Sequence, residues 1–258
     1  MKVVILCGGR GMRLHEETEF RPKPLVPIGG QPILWHIMKL YAYYGFSDFV
    51  LCLGYRGDMI KEYFLNYEAM SNDFTIRLGH RNSVEYNMVH NEQDFRVTLA
   101  STGEDTMTGS RIKQVEKYID SDTFMVTYGD GLADINIRAL VEYHEQHGRL
   151  ATATAVHPFS RFGILTMDDD SVIQSFAEKP LAEEWINAGF FVFNRKVFDY
   201  LGDDDCVLER EPLENLAQER QLIAHRHHGF FYAMDTYRDY RFLNDLWDSG
   251  HTPWKVWE

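Results

Sequence analysis

The chain has 258 residues, 45% of them hydrophobic, and a formal net charge of −13. That length suits one large packed domain or a domain with a small appendage. An acid excess of this size argues against nucleic acid or an anionic membrane as a partner, since both repel a negative surface.

The chain opens on Val3-Val4-Ile5-Leu6-Cys7-Gly8-Gly9-Arg10-Gly11-Met12-Arg13-Leu14. The β-branched apolar run reads as a buried parallel strand. The glycines after it let backbone amides approach an anion closely. Arg10 and Arg13 bring positive charge, and Arg21-Pro22-Lys23-Pro24 brings more. Residues 1–25 carry five cations (Lys2, Arg10, Arg13, Arg21, Lys23) against three acids (Glu16, Glu17, Glu19) on an otherwise acidic protein. This pattern suits a polyphosphate. It is not a dinucleotide fingerprint, because Leu14 stands where the third glycine after Gly9 should be, and it lacks the Gly-Lys-Ser/Thr of a Walker loop.

In chain order, Pro32 to Tyr41 reads as a helix, with Ile33, Ile37, Leu40 and Tyr44 at helical spacing, Pro32 in the first turn and Gly45 as a stop. Phe49 to Tyr55 reads as a second buried strand and Met59 to Tyr67 as a second helix. The alternation predicts an α/β fold with a parallel sheet. Phe74 to Thr98 breaks it: the stretch is polar, contains strand-like pieces such as Phe95-Arg96-Val97-Thr98-Leu99, lacks a clear helix and reads as an inserted meander or long loops. Residues 102–110 are turn chemistry rich in hydroxyls, and Arg111 to Ile119 reads as a helix. Phe124 to Tyr128 is a third buried strand. It ends at Gly129-Asp130-Gly131, where open α/β sheets bind ligands. Ile137 to His147 is a helix and Leu150 to Val156 a strand. Segments 162–165, 172–176 and 186–193 suggest a mixed-sheet extension. Pro212 to Glu219 reads as a short helix, Leu222 to Ala233 as a strand, and Arg238 to Trp247 as a closing helix before an aromatic tail. The expected class is α/β: a Rossmann-like, mostly parallel mixed sheet flanked by helices, with a smaller strand-rich extension, in one unit spanning 1–258.

Three cysteines, Cys7, Cys52 and Cys206, show no pairing motif, and the first two sit in apolar runs as buried reduced thiols would. No run approaches a membrane span, and the apolar start is too short for a signal peptide, so the expectation is a cytoplasmic protein.

The opening strand, the glycine-rich loop with Arg13-Leu14 and Pro22-Lys23-Pro24 together resemble the sugar-nucleotide pyrophosphorylases, and the resemblance implies transfer of a nucleotidyl group from a nucleoside triphosphate to a phosphate, which needs no protein nucleophile. Such transfer needs two anions held in line and the departing pyrophosphate neutralised. Residues 8–13 and Lys23 supply the cradle, with Arg13 and Lys23 placed to follow the leaving charge. Asp130 leads as a metal ligand, since magnesium takes one or two carboxylates with phosphate oxygens and water. Asp235 is its partner from late in the chain, although alone it would read as a helix cap with Thr236. Lys179, in Glu178-Lys179-Pro180, is the candidate cation for the incoming phosphate, and in isolation a surface lysine. His225-x-His227-His228 reads as a solvated or ion-paired surface, because strand alternation puts His228 on the opposite face. The 41–44 tyrosine run and the Trp254/Trp257 pair read as core and subunit packing.

The resemblance to the sugar-nucleotide pyrophosphorylases does not rest on the opening loop alone. Further motifs narrow this: Pro32-Ile33-Leu34-Trp35-His36, Gly54-Tyr55-x-Gly57, Met107-Thr108-Gly109-x-Arg111, Thr127-Tyr128-Gly129-Asp130-Gly131, Arg161-Phe162-Gly163, Glu211-Pro212-Leu213, Met234-Asp235-Thr236 and Pro253-Trp254-Lys255-x-Trp257. Over essentially the whole chain these resemble the glucose-1-phosphate cytidylyltransferase family. The resemblance implies CTP and α-D-glucose 1-phosphate as substrates, CDP-glucose and pyrophosphate as products, and Mg²⁺ as cofactor. It implies a nucleotide site of Leu6, Cys7, Gly8, Gly9, Arg10, Gly11, Met12, Arg13, Lys23, Thr106, Arg111 and Gly129, with Arg13, Lys23 and Asp130 catalytic. It makes Asp130 and Asp235 the metal ligands, and Glu178, Lys179, Asn187 and Gly189 the sugar-phosphate contacts. Residues 1–150 would mainly hold the nucleotide, and 151–258 the sugar and the contacts of a homo-oligomer, often a hexamer, serving surface-polysaccharide synthesis. Three departures from the family pattern, at Leu208, at Ala188 and across His157-Pro158-Phe159-Ser160, fall in the sugar-side half. Two other readings remain: transfer to a different phosphate acceptor, or a nucleotide-sugar-binding protein without catalysis, which the Asp130/Asp235 pair disfavours.

Overall fold

The structure is a computed structural model that describes residues 1–79, 84–87, 92, 94–158, 160, 162–203 and 205–257. Its elements are β1 (Val3–Cys7), α1 (His15–Thr18), β2 (Pro27–Ile28), β3 (Gln31–Pro32), α2 (Ile33–Tyr43), β4 (Asp48–Leu53), α3 (Gly57–Leu65), α4 (Tyr67–Ser71), β5 (Asp73–Ile76), β6 (Val84–Asn87), β7 (Arg96–Ser101), α5 (Thr108–Gln114), β8 (Thr123–Tyr128), β9 (Gly131–Ala133), α6 (Ile137–His147), β10 (Ala151–Val156), β11 (Ile164–Met167), β12 (Ile173–Ala177), β13 (Ile186–Asn187), β14 (Phe191–Asn194), α7 (Glu211–Gln218), β15 (Leu222–Arg226), β16 (Phe231–Ala233) and α8 (Tyr237–Asp248).

The main sheet runs β13-β10-β14-β8-β1-β4-β7, with β15 paired to β10. Strands β8, β1, β4 and β7 are parallel, while β14 is antiparallel to both β8 and β10. This is the expected mostly parallel mixed sheet. Strand β1 lies at its centre, and Val3, Val4 and Ile5 are 0% exposed. A strand covered on both faces needs apolar residues at every position, which is why it reads as an unbroken run. Val3, Ile5 and Cys7 share a core with Ile33, Ile37 and Tyr41 of α2, Leu140 of α6 and Leu243 of α8. Val4 packs on the opposite face with Ile112 of α5, Phe193 and Leu216. Period-two alternation along the strand produces these two layers.

Helix boundaries follow local chemistry. Asn136 caps α6 by accepting from the Ala139 N–H, and Gly148 ends it in the left-handed region at φ 63°. Thr236 and Asp239 form a reciprocal capping box that starts α8. Thr236, not Asp235, is therefore the cap, which leaves the Asp235 carboxylate for other work. The aromatic tail closes on α2. The Trp254 indole N–H donates to Nδ1 of the buried His36, and His36 Nε2 lies 2.8 Å from the Ile28 carbonyl. These contacts make the imidazole a neutral ring that donates through Nε2, with its pKa pushed down to about 4 by burial.

Several expectations change. In the polar stretch 74–98 the strand-like piece 95–99 is borne out as β7, which pairs with β4 at the edge of the main sheet, and the rest includes a hairpin, β5–β6. The predicted strand 186–193 breaks into β13 and β14, because Gly189 and Phe190 take positive φ values of 77° and 47°. The predicted strand 222–233 also divides: β15 pairs with β10, and β16 turns away to pair with β9 beside Asp130. Helix α5 begins at Thr108, earlier than the predicted Arg111. Of the strand-rich extension, only β11–β12 stands apart as a hairpin, since β13, β14 and β15 join the main sheet. Phe159 and Arg161 lie outside the described residues.

Candidate nucleotide-phosphate site

A cleft of about 410 Å³ opens at the carboxyl ends of β1 and β8. Leu6, Cys7, Gly8, Gly9, Gly11, Met12, Arg13, Lys23, Thr106, Arg111, Gly129, Asp130 and Asp235 all line it. The topology explains the gathering. Parallel β1 and β8 end side by side, so the loops after them meet. The β9–β16 pairing delivers Asp235 to the same place, because the Met234 N–H donates to the Asp130 carbonyl.

The charges converge on one nitrogen. Lys23 Nζ lies 2.7 Å from Asp130 Oδ2 and 2.9 Å from Asp235 Oδ1, and the Arg13 guanidinium sits 3.2 Å from that Asp235 oxygen. Burial alone would push the Lys23 ammonium down, but the charge of Asp130 and the hydrogen bonds to both acids outweigh it, and its pKa is raised. Two acids 105 residues apart in sequence thus point at a common cation. A pair of hard carboxylate oxygens around one positive point fits a divalent ion of the magnesium kind. Among the described residues no group of three or more His, Cys, Asp or Glu gathers for a metal; Asp130 and Asp235 would be the protein ligands, and an ion held between them would need phosphate oxygens and water as well.

Arg111 does something the sequence does not announce. It is 4% exposed. Its guanidinium donates to the carbonyls of Leu53, Gly103, Gly8 and Glu104 and to the Thr102 hydroxyl, at 2.7–3.2 Å. It therefore clamps the ends of β1, β4 and β7 together beneath the phosphate loop. Burial pulls its pKa down, yet guanidinium stays charged in proteins, so it contributes a positive charge to the cleft floor. It also explains two glycines. A Cβ on Gly8 would lie 2.2 Å from Arg111 Cζ, and one on Gly54 would lie 2.6 Å from its Nη1. The glycine at 8 makes room for an arginine; Gly9, with nothing within 4 Å of its would-be Cβ, is open toward the cleft.

Cys7 lines the cleft, but burial raises its pKa well above the usual thiol range, so it remains an S–H and offers no nucleophile. Arg10 is not among the lining residues; it pairs with Glu104 and Asp105. Asn187 and Gly189 reach the cleft wall indirectly, through Tyr128: the Asn187 amide donates to the Tyr128 hydroxyl at 3.3 Å, and a Cβ on Gly189 would meet the Tyr128 ring at 2.7 Å. Glu178 and Lys179 are not brought to the cleft. They pair with each other at 3.0 Å on an exposed turn, with Lys179 at φ 47°. Pro24, Met107, Thr108 and Tyr128 also line the cleft. Thr108 lies inside the hydroxyl-rich turn and Tyr128 beside Gly129-Asp130, so both carried a signal in the sequence. The histidines at 225–228 go to different partners: His227 pairs with Asp134 at 2.9 Å, while His225 packs on Tyr143 and His228 on Trp185.

No helix among the described residues is long and apolar enough to cross a membrane. The family model for nucleotidyl transferases matches residues 2–251. The chain is 48% identical over 258 residues to the probable glucose-1-phosphate cytidylyltransferase of Bacillus subtilis, with both chains covered completely. It is 48% identical over 261 residues to the glucose-1-phosphate cytidylyltransferase of Salmonella typhi, again over 100% of each. Among solved structures, HddC from Yersinia pseudotuberculosis superposes with a TM-score of 0.68 at 24% identity, covering 95% of this chain and 99% of that one. Apo UDP-glucose pyrophosphorylase superposes with a TM-score of 0.69 at 15% identity, over 96% and 98%. These two share the fold. With a family model spanning nearly all of its length and full-length relatives at close to half identity, the chain belongs to the nucleotidyl transferase family, among the glucose-1-phosphate cytidylyltransferases.

Proposed function

We propose that the chain transfers the cytidylyl group of CTP to α-D-glucose 1-phosphate, releasing pyrophosphate and forming CDP-glucose. The observation that carries this is the convergence of Asp130 and Asp235 on Lys23 at the edge of the glycine-rich loop. In the reaction a phosphate oxygen of the sugar phosphate attacks the α-phosphorus. A new P–O bond forms, the α–β bridging bond breaks, and its electron pair leaves with pyrophosphate. A phosphate monoester is largely dianionic at neutral pH, so no general base is required. Catalysis is then a matter of alignment and charge.

The backbone amides of residues 8–13 hold the β- and γ-phosphates, and Arg13 with Lys23 neutralises the charge that grows on them. Asp130 and Asp235 would hold a divalent cation, Mg²⁺ in this reading, whose chemistry is to screen the phosphates from one another and polarise the α-phosphate. Arg111 keeps the three strand ends in register under the loop. Lys179, with Glu178, Asn187 and Gly189, serves the acceptor phosphate and sugar. That role requires the 178–180 turn to approach the cleft when acceptor binds. Exposed apolar side chains on β5–β6 (Phe74, Ile76, Tyr86) and β11–β12 (Ile164, Met167, Phe176) support assembly of copies into an oligomer.

The test is to incubate the protein with magnesium, each nucleoside triphosphate in turn and a panel of sugar and non-sugar phosphates, and to identify products by mass. CDP-glucose with stoichiometric pyrophosphate is expected. A different coupled product reassigns the acceptor or base, and no pyrophosphate from any pair defeats the catalytic reading.

A further inference from the structure

Segment 206–210 crosses the start of α5 and is held there on both sides. The Cys206 carbonyl accepts from the Gly109 and Ser110 amides, the Cys206 amide donates to the Ser110 hydroxyl, and the Leu208 amide donates to the Thr108 hydroxyl. Leu208 is buried in the core. This fixes the backbone around Glu209, whose carboxylate accepts two hydrogen bonds, from the Thr108 hydroxyl at 2.7 Å and the Tyr128 hydroxyl at 2.5 Å. Thr108 and Tyr128 line the cleft, and Glu209 is not among the lining residues.

The Tyr128 hydroxyl is held from a second side by the Asn187 amide, and Asn187 in turn accepts from the Gly189 N–H. Gly189 leaves the space that the ring fills, and Phe191 packs edge-on against the ring. Burial, then the charge of Glu209, pushes the phenol pKa up, so the group is a neutral O–H that donates to Glu209. The side chain's partners all come from the later part of the chain, at 187, 189, 191 and 209. The phosphate loop is held instead by Thr18, Lys23 and Arg111. The cleft thus has two sides with largely different side-chain supports, which meet at α5, the helix that carries both Thr108 and Arg111.

We propose that Glu209 is a positioning residue for the acceptor: it fixes Tyr128 as the wall against which the sugar 1-phosphate packs, and it acts on transfer only through Tyr128. This rests on the nucleotidyl-transfer reading above, with the donor triphosphate on the loop.

The test compares Glu209→Ala, Glu209→Gln, Tyr128→Phe and the Glu209→Ala/Tyr128→Phe double variant in initial-rate assays, with CTP and glucose 1-phosphate varied separately. Glu209→Ala raises the acceptor KM by about tenfold, the value of one charge-assisted hydrogen bond, and moves the CTP KM by no more than about twofold. Glu209→Gln, which keeps polar atoms for both partners, recovers part of that loss. The double variant is no worse than the poorer single one, because both substitutions remove the same contact. Equal shifts in both KM values, or effects that multiply in the double variant, overturn the proposal. So does a Glu209→Gln variant as impaired as Glu209→Ala with its pH profile altered, since that marks a reacting acid or base. Calorimetric binding of glucose 1-phosphate to the wild type and Glu209→Ala reads the same loss without turnover. Unchanged binding there overturns the positioning role, whereas absent pyrophosphate release in the wild type counts only against the transfer reading.

Discussion

The two walls of the cleft are built differently. The phosphate wall comes from one continuous stretch, residues 6–13, backed by a buried arginine and locked through a lysine to two aspartates. The other wall is formed by Thr108 and Tyr128, braced by Asn187 and Glu209 from far away in sequence, and the 178–180 turn stands away from it. A triphosphate is the same object whichever base or acceptor accompanies it, so a short rigid loop can hold it. An acceptor must be distinguished by shape and hydroxyl pattern, which needs side chains converging from several directions.

The sharpest test of this contrast lies on the phosphate wall. Asp130→Ala lowers pyrophosphate release by about a thousandfold while the protein still unfolds cooperatively, and Lys23→Ala by about a hundredfold. Release near the wild-type rate in Asp130→Ala would separate the carboxylate pair from catalysis. Off that wall, in the role proposed for the 178–180 turn, Lys179→Ala raises the KM for glucose 1-phosphate by about tenfold and leaves the CTP KM in place. An unchanged acceptor KM would leave Lys179 a surface residue, as the exposed pair with Glu178 has it.

A smaller effect separates the glycines. Gly8→Ala drives a methyl into the Arg111 guanidinium and destabilises by about 1–3 kcal/mol, while Gly9→Ala stays within about 0.5 kcal/mol. Urea denaturation reads both, and equal losses would break the assignment. The mildest probe is pH. The folded state holds His36 neutral down to about 4, against an ordinary 6.5. Between those values the unfolded chain binds a proton that the folded chain does not. Stability therefore falls as pH drops from 6.5 toward 4 and levels off below, by at most about 3 kcal/mol from this group. Urea midpoints across that range should show the slope, and His36→Gln should reduce it, leaving the share of His144, which burial also pushes down to about 4.

The sequence made the phosphate wall legible because its chemistry is contiguous: apolar run, glycines, Arg13 and Lys23 fall within two dozen residues. Strands and helices with clean periodicity, such as β1 and α6, were readable for the same local reason. The wall proposed for the acceptor was not. Glu209 meets Tyr128 across 81 residues and Thr108 across 101, and nothing near position 209 signals either contact. Strand β7 showed as a strand-like piece in a polar stretch, but its place at the edge of the main sheet comes from its register with β4. Arg111 was legible as a cation near the nucleotide, but its five hydrogen bonds to strand ends depend on a topology that no spacing reveals.

That arginine carries a consequence for how such a protein can change over generations. Positions 8, 54 and 111 occupy a single volume, although 103 residues separate the first from the last. They constitute one inherited character. A lineage could enlarge Gly8 only after surrendering the arginine, Gly54 is hemmed in by the Gly8 carbonyl as well, and surrendering the arginine would leave three strand ends without their common fastener.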